Sequence, residues 1–210
     1  DFYKTLVDRK RMSLKISSLF LTRGVPGTHD TKLLLNCLKS LKKEKFKKVL
    51  IPKFDKSIDD RLQKNRWQTV KTKPDIVIFE GWCVGVTQQK NKDLIKPIND
   101  LEKQEDKKRI WRRKVNLEIK KNYKKIFELI DKLIFLKVPN FKYVLKWRLL
   151  QEKKLRITGK GNKIMSNKEI NKFIMYYERL TKHMLKILPK SADAIISIDH
   201  KHRLKSIKFN

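Results

Sequence analysis

A carboxylate stands directly after an apolar run in this chain. Ile76 to Phe79 is a continuous β-branched and aromatic segment, followed by Glu80 and Gly81. Such a run predicts a fully buried strand of a parallel sheet. Ligands of open α/β sheets bind outside the carboxyl ends of the strands, and Mg²⁺ prefers oxygen ligands while keeping several waters. Glu80 is therefore a candidate for holding a nucleotide-bound Mg²⁺; the alternative is a strand-end acid at the surface.

A glycine-containing loop from Arg23 to Asp30 runs into a predicted helix, with Thr28 or Asp30 as its N-cap. Backbone N–H groups at a helix N-terminus favour an anion. Arg23 adds a donor suited to a carboxylate or a phosphate. An ordinary turn before a capped helix explains the pattern equally well, and an isolated histidine such as His29 is more often structural than catalytic.

A charged loop from Pro52 to Arg61 follows the predicted strand Val49 to Ile51. It places acidic and basic residues close together, including Lys56, above the end of a strand. Loops of this kind bind small polar substrates, although a solvated charged loop would look the same in isolation.

A basic helical segment from Lys146 to Arg156 follows another predicted strand. Arg148 and Arg156 are eight residues apart and share roughly one helix face. In phosphoryl transfer, arginines on a lid stabilise charge on the migrating group. The alternative is a basic helix surface without a ligand.

The remaining apolar patterns alternate between strands and helices. Strands are predicted at Val49–Ile51, Ile76–Phe79, Leu133–Val138 and Ala194–Ile198. Helices are predicted after Asp30, then at Leu94–Leu101, Trp111–Ile130, Asn140–Leu155 and from a Ser166–Glu169 capping box to about Leu188. This alternation predicts an α/β, Rossmann-like fold with a central parallel sheet.

Composition limits the other classes of protein. The 210 residues include 54 Lys and Arg against 22 Asp and Glu, a formal charge of +32. Lysine outnumbers arginine more than threefold and the basic residues are scattered along the chain, which favours solvated faces over a specific nucleic-acid site. The sequence has no apolar run of membrane-spanning length. Cys37 and Cys83 are far apart, which fits a reduced, cytoplasmic setting.

Seven segments, taken together and in order, resemble the P-loop kinases of the D-glycerate 3-kinase group, relatives of pantothenate kinase, uridine kinase and phosphoribulokinase. They are DFYKT at Asp1, TRGVPGTHD at Thr22, PKFDKSIDDRL at Pro52, IVIFEGWCVG at Ile76, VNLEIKKNYKKIF at Val115, VLKWRLLQEKKLR at Val144 and MSNKEINKFIMYYERLTKHML at Met165. The resemblance covers essentially the whole chain. It implies a P-loop NTPase-like three-layer α/β sandwich, with ATP and Mg²⁺ as cofactors and D-glycerate as the acceptor.

The resemblance also implies roles for individual residues. Glu80 would take the Walker B position and serve Mg²⁺. Arg148 and Arg156 would face the ATP phosphates from a lid at residues 140–165. The acceptor pocket would be lined by Tyr3, Arg23, His29, Asp30, Lys56 and Arg61.

Asp1 corresponds to the second acid of the D-D-F-Y form that is usual in this group, and together with Glu80 and Arg148 it is a predicted catalytic residue. The first acid, the implied general base, would then lie upstream. The sequence also contains no G-x-x-x-x-G-K-[ST] phosphate loop. We therefore expect residues 1–210 to be a single kinase domain that lacks its first strand and phosphate loop, and to be inactive alone.

Other functions stay open at this point. The acceptor could instead be pantothenate or a nucleoside, because acceptor pockets of related kinases differ more than their nucleotide sites. A basic nucleic-acid-binding protein and a non-catalytic remnant are the remaining alternatives. We expect no specific nucleic-acid partner and no membrane, and the sequence leaves the oligomeric state open.

Overall fold

A computed structural model describes residues 1–158 and 165–210, without the side chains of residues 155, 156 and 158. The helices are α1 (Leu6–Lys15), α2 (Thr31–Leu41), α3 (Asp100–Glu105), α4 (Ile110–Glu118), α5 (Lys124–Phe127), α6 (Phe141–Thr158) and α7 (Asn167–Ile187). The strands are β1 (Val49–Ile51), β2 (Phe54–Asp55), β3 (Asp60–Arg61), β4 (Gln68–Val70), β5 (Ile134–Lys137), β6 (Ala194–Ile198) and β7 (Leu204–Phe209). Short 3₁₀ turns lie at Ser18–Leu21, Lys64–Arg66, Asn91–Leu94 and Leu188–Lys190.

The chain divides into two compact units. The first comprises Asp1–Ile95 and Asp106–Ile130, and the second comprises Lys96–Glu105 and Asp131–Asn210. Among the described residues, no helix combines the length and the apolar character that crossing a membrane requires.

Helix α2 and two small antiparallel sheets, β1–β4 and the β2–β3 hairpin, organise the first part of unit one. The Asp30 carboxylate caps α2 by accepting a hydrogen bond from the Leu33 amide at 3.1 Å, as the sequence predicts. The apolar face of α2 packs on the two-stranded β1–β4 sheet, where Cys37, Leu41 and Val49 are buried. The β2–β3 hairpin, Phe54–Asp55 against Asp60–Arg61, lies in the segment that the sequence suggests is a loop.

The long helix predicted from Trp111 to Ile130 is confirmed, with one irregularity. A π-helical turn at Ile119–Tyr123 joins α4 to α5. Val115, Ile119, Tyr123 and Ile126 are buried on one side, which matches the predicted apolar face. At the start of α4, the buried Arg112 guanidinium donates to the Asp106 carboxylate at 2.8 Å and to the Leu94 carbonyl at 2.9 Å.

Unit two combines a three-stranded sheet with the helices α6 and α7. Strands β5 and β6 are parallel, with Ile134 opposite Ala194, and β7 runs antiparallel to β6. A Ser166–Glu169 capping box starts α7, as predicted. The buried Arg179 of α7 donates from Nε and Nη2 to the two Glu102 carboxylate oxygens, each at 2.6 Å.

The predicted strand at Ile76–Phe79 is wrong. The segment is irregular, and the side chains of Ile76 and Ile78 are 79% and 86% exposed. A buried parallel strand needs hydrogen-bonded neighbours, and no strand among the described residues pairs with this segment. The apolar run alone therefore cannot create the strand.

The predicted central parallel sheet is also only partly present within the described residues. Two of the four predicted strands, β5 and β6, pair in parallel, whereas β1 belongs to an antiparallel hairpin in the other unit. Strand β7 was not predicted, because its residues have the composition of a basic tail. The helix predicted at Leu94–Leu101 is wrong as well: Pro97 separates the 3₁₀ turn at Asn91–Leu94 from α3.

Candidate functional site

Unit one contains eight of the ten residues that the sequence singles out: Asp1, Tyr3, Arg23, His29, Asp30, Lys56, Arg61 and Glu80. Arg148 lies on α6 in unit two. Arg156 is also in α6, but its side chain lies outside the described part of the structure.

Tyr3 and His29 form the centre of the cluster in unit one. An isolated antiparallel bridge joins the two residues, and their rings stack with centroids 4.9 Å apart. Phe54 at the start of the β2–β3 hairpin meets the Tyr3 ring edge-on at 5.1 Å. Burial raises the pKa of the Tyr3 phenol, the Arg23 cation opposes that shift, and Glu80 adds to it. Three loops distant in sequence therefore meet around Tyr3.

Arg23 reaches the same place and is held by a carboxylate. Its guanidinium is paired with the Asp59 carboxylate. The Arg23 guanidinium carbon also lies 5.4 Å from the Phe54 ring centroid and 6.0 Å from that of Tyr3, within cation–π range.

Asp59 is a central residue that the sequence analysis did not select. Its backbone is left-handed, with φ 56°, a conformation that aspartate tolerates better than most residues. Its carboxylate accepts from the buried Arg9 at 3.1 Å, and its carbonyl accepts from Arg9 at 2.5 Å. Asp59 therefore binds Arg9 and Arg23 at the same time. Its position in the charged 52–61 loop is the sequence signal that could have identified it.

Arg61 and Asp30 form a second ion pair at the cluster, with Nη1 and Oδ2 3.0 Å apart. Burial disfavours ionisation of Asp30, but hydrogen bonds from Arg61 and the Leu33 amide outweigh it, so the pKa of this carboxyl lies below its usual value. Asp30 thus caps α2 and orients Arg61 at the same time.

Glu80 and Lys56 are exposed, and neither takes part in a hydrogen bond or ion pair within residues 1–158 and 165–210. Both act electrostatically at Asp1: burial lowers the pKa of its amino group, Glu80 opposes this shift and Lys56 reinforces it. Asp1, Lys56 and Glu80 therefore lie in one neighbourhood.

The Glu80 carboxylate fits a role in holding Mg²⁺, because its oxygens are accessible and have no other partner in the described residues. The described parts of the chain contain no cluster of three His, Cys, Asp or Glu side chains suited to a metal. A Mg²⁺ ion at Glu80 would thus be completed by waters and substrate phosphates, as is usual for this ion.

His29 is bound to a second residue that the sequence analysis missed, Tyr123. The His29 Nδ1 and Tyr123 Oη atoms are 2.5 Å apart. Burial, together with the smaller effects of the Asp1 amino group and Lys4, lowers the pKa of His29 to about 4, so the ring is neutral at pH 7. Tyr123 belongs to the segment VNLEIKKNYKKIF. Its position on the apolar face of the helix predicts that it packs in the core, and nothing in the local sequence indicates a functional role.

In unit two, Arg148 donates to the Glu152 carboxylate at 2.9 Å and to the Gln151 side chain at 3.0 Å. It lines an open groove of about 420 Å³, together with residues that include Trp147 and His202. The sequence prediction that a lid occupies residues 140–165 stays a prediction, and residues 159–164 lie outside the described structure.

Comparisons with known proteins agree on one group of kinases, although no protein-family model matches the chain. The chain is 32% identical over 185 residues to the uncharacterized kinase mug58 of Schizosaccharomyces pombe, covering 84% of this chain and 65% of the relative. It is 28% identical over 186 residues to the chloroplastic D-glycerate 3-kinase of Arabidopsis thaliana, covering 84% of this chain and 38% of that protein. The chain thus spans less than two thirds of the length of these curated relatives.

The solved structure of D-glycerate 3-kinase from Cryptococcus neoformans superposes with a TM-score of 0.80 at 24% identity, over 100% of this chain and 77% of that one. This match confirms the predicted α/β, P-loop kinase fold.

Proposed function

We propose that this chain, a homologue of D-glycerate 3-kinase and related kinases, supplies the acceptor-binding and lid residues of an ATP-dependent kinase that phosphorylates D-glycerate. The observation that carries the proposal is the cluster around Tyr3 and His29, which Arg23 contacts through the Tyr3 ring and to which Arg61 is linked by its ion pair with Asp30. Lys56 acts electrostatically at Asp1 in the same unit. A neutral polyol or nucleoside does not need several cations, whereas a compact acid needs its carboxylate anchored.

The ion pairs of the cluster are compatible with acceptor binding. A guanidinium has five N–H donors, so one carboxylate partner does not exhaust its capacity. Asp59 and Asp30 hold Arg23 and Arg61 in fixed positions. Lys56 is exposed and has no partner among the described residues, so its ammonium can meet an incoming carboxylate.

The chemistry requires a hydroxyl held in line with the γ-phosphate while charge develops on the transferred group. Bound ATP and Mg²⁺ would supply the phosphoryl group and part of the charge neutralisation. Glu80 would hold the Mg²⁺. Arg148, which is paired with Glu152 in unit two, keeps the predicted role of contacting phosphate oxygens. Arg23, Lys56 and Arg61 would fix the acceptor so that its hydroxyl is the reacting group.

The test is a phosphorylation panel on the protein that carries this chain, with D-glycerate, glycerol, uridine and pantothenate at fixed ATP and Mg²⁺. A charge-assisted contact contributes roughly 1.5–3 kcal/mol. At about 1.4 kcal/mol per tenfold, D-glycerate should exceed glycerol by one to two orders of magnitude in kcat/KM. Preference for uridine or pantothenate would overturn the acceptor, and absence of any ATP-dependent phosphorylation would overturn the kinase assignment.

The Arg23→Ala variant locates the acceptor within the cluster. It should raise the KM for D-glycerate roughly tenfold or more and change the KM for ATP much less, because Arg23 is assigned to the acceptor. Arg11→Ala is the matched control, since Arg11 lies on α1 in an exposed pair with Asp8. Equal increases in both KM values for Arg23→Ala would contradict the assignment.

A further inference from the structure

A chain of hydrogen bonds links the glycine loop, Tyr123 and His29. The backbone N–H of Gly27 donates to Tyr123 Oη at 3.2 Å, and Tyr123 Oη lies 2.5 Å from His29 Nδ1. All three residues belong to unit one. The Tyr123 side chain is buried, so this hydroxyl needs its polar partners within the protein.

The proton in the Tyr123–His29 hydrogen bond can be placed by counting donors. Burial raises the pKa of the Tyr123 phenol well above its usual value, so the hydroxyl keeps its proton. The oxygen already accepts from Gly27, and among the described residues no other acceptor contacts it. Because the imidazole is neutral, the Tyr123 hydroxyl donates to Nδ1, and the proton of the ring resides on Nε2.

We infer that Tyr123 is a positioning residue, which holds His29 as the neutral Nε2–H tautomer so that Nε2 can donate a hydrogen bond to an oxygen of the bound acceptor. The contact with the acceptor rests on the proposed function, whereas the tautomer rests on the hydrogen bonds and on the neutral state of both side chains. In this tautomer Nε2 has no lone pair available. His29 therefore binds the acceptor and does not remove a proton from it.

The surroundings of His29 support a fixed ring with a donor that remains available. The stacking on Tyr3 and the backbone bridge restrict the ring on one side, and Tyr123 restricts Nδ1 on the other. His29 Nε2 makes no hydrogen bond within the described parts of the chain. A carboxylate or hydroxyl oxygen of a small acid is the partner that such a neutral donor suits.

The backbone conformation of Gly27 fixes its hydrogen bond to Tyr123. Its φ is +104°, a conformation that favours glycine. A Cβ at this position would lie 3.2 Å from the Phe20 ring and 3.3 Å from Glu118 Cγ. The Gly27 N–H is therefore held in place. Because it donates to the Tyr123 oxygen, the hydroxyl proton of Tyr123 remains free to be donated to His29.

The first test is the tautomer of His29, measured by ¹⁵N–¹H NMR of the polypeptide 1–210 at pH 7. The His29 signals are assigned with a His29→Gln variant, and His183, His200 and His202 serve as internal references. The expected result is a neutral ring with the proton on Nε2. A proton on Nδ1, or a charged ring, would overturn the inference without the need for any Tyr123 variant.

The second test removes the donor. Tyr123→Phe deletes only the hydroxyl, and we expect the His29 signals to move from a single tautomer towards a mixture. Tyr143→Phe is the matched control, because Tyr143 lies on α6 in the other unit and should leave the His29 signals unchanged. An unchanged Nε2–H tautomer in folded Tyr123→Phe would contradict the positioning role.

A titration with D-glycerate separates this inference from the proposed function. We expect D-glycerate to shift the His29 Nε2–H signal, and Tyr123→Phe to weaken that response. An Nε2–H tautomer that ignores D-glycerate, in a protein that phosphorylates a different acceptor, would refute the acceptor and leave the role of Tyr123 intact. Phosphorylation of D-glycerate by a protein whose His29 carries its proton on Nδ1 would support the acceptor and refute the role of Tyr123.

Discussion

The loop region of unit one and the surfaces of single helices pair their charges in different ways. In the loop region, Arg9 of α1, Arg23 and Arg61 of β3 bind carboxylates that lie 50, 36 and 31 residues away in sequence. Within single helices or at their ends, the described residues include pairs four positions apart: Lys114–Glu118, Lys124–Glu128, Arg148–Glu152 and Lys182–Glu178. The loop pairs depend on the fold, whereas the helical pairs follow from spacing alone.

This difference separates two kinds of charged residue within the loops themselves. Asp59 and Asp30 are bound to arginines and hold the loops together. Glu80 and Lys56 have no such partner in the described residues, although they lie in the same unit. We therefore expect substitutions of the first kind to reduce stability and substitutions of the second kind to reduce function.

Glu80→Gln should have the largest effect, and only on catalysis. If Glu80 holds Mg²⁺, the loss of its charge should lower turnover of the kinase on the order of 10²-fold or more. The free energy of unfolding should change little, because the carboxylate makes no ion pair within the described residues. Steady-state kinetics at varied Mg²⁺ and urea denaturation measure the two quantities, and unchanged Mg²⁺-dependent kinetics would return Glu80 to a surface role.

His29 predicts a pH-dependent loss of stability in the loop region. Its pKa is about 4 in the folded protein and near 6.5 when unfolded, so the unfolded state binds more protons between these values. Stability from the neutral ring is therefore complete above pH 6.5 and falls by roughly 3 kcal/mol as the pH drops to 4.

Urea denaturation between pH 7 and pH 4 checks this prediction. Carboxyl groups with lowered pKa values, such as Asp30, also titrate in acid. His29→Gln is the appropriate comparison because it removes only the imidazole contribution, so its stability should depend less on pH. If the stability of the original protein and of His29→Gln depended on pH in the same way, the fold would not keep the His29 ring neutral.

Asp59→Asn tests the long-range pairing directly. Asparagine tolerates the left-handed backbone at this position, so the change mainly removes charge. The buried Arg9 would lose its carboxylate partner, and we expect a loss of about 2 kcal/mol of stability. This is less than for a fully buried pair because the Asp59 side chain is 37% exposed. Equilibrium denaturation that shows no loss would mean that the backbone carbonyls alone satisfy Arg9.

Glu128→Gln should have the smallest effect and provides the helical counterpart. Glu128 lies 3.8 Å from Lys124, and both side chains are mostly exposed. Removal of an exposed pair at this spacing should cost less than about 0.5 kcal/mol, by the same denaturation measurement. A loss as large as that of Asp59→Asn would remove the distinction between local and long-range pairs.

The sequence by itself determined the elements whose signals are local. Asp30 caps α2, the Ser166–Glu169 box starts α7, and the apolar face from Val115 to Ile126 is buried as the periodicity predicts. The motif order also pointed to the kinases that this chain is similar to and to the fold class, because short segments survive in sequence even where overall identity is low. Helix caps and helix faces depend only on residues that are close in sequence, so they can be predicted without knowledge of the fold.

The tertiary structure alone decided the features that depend on distant neighbours. Ile76–Phe79 has the composition of a buried strand but lacks a pairing strand among the described residues, so it is exposed. Asp59 and Tyr123 gain their roles only when the 52–61 loop and the long helix meet Arg23 and His29. Hydrogen bonds and ion pairs of this kind join residues dozens of positions apart, and no local spacing encodes which partner each side chain finds.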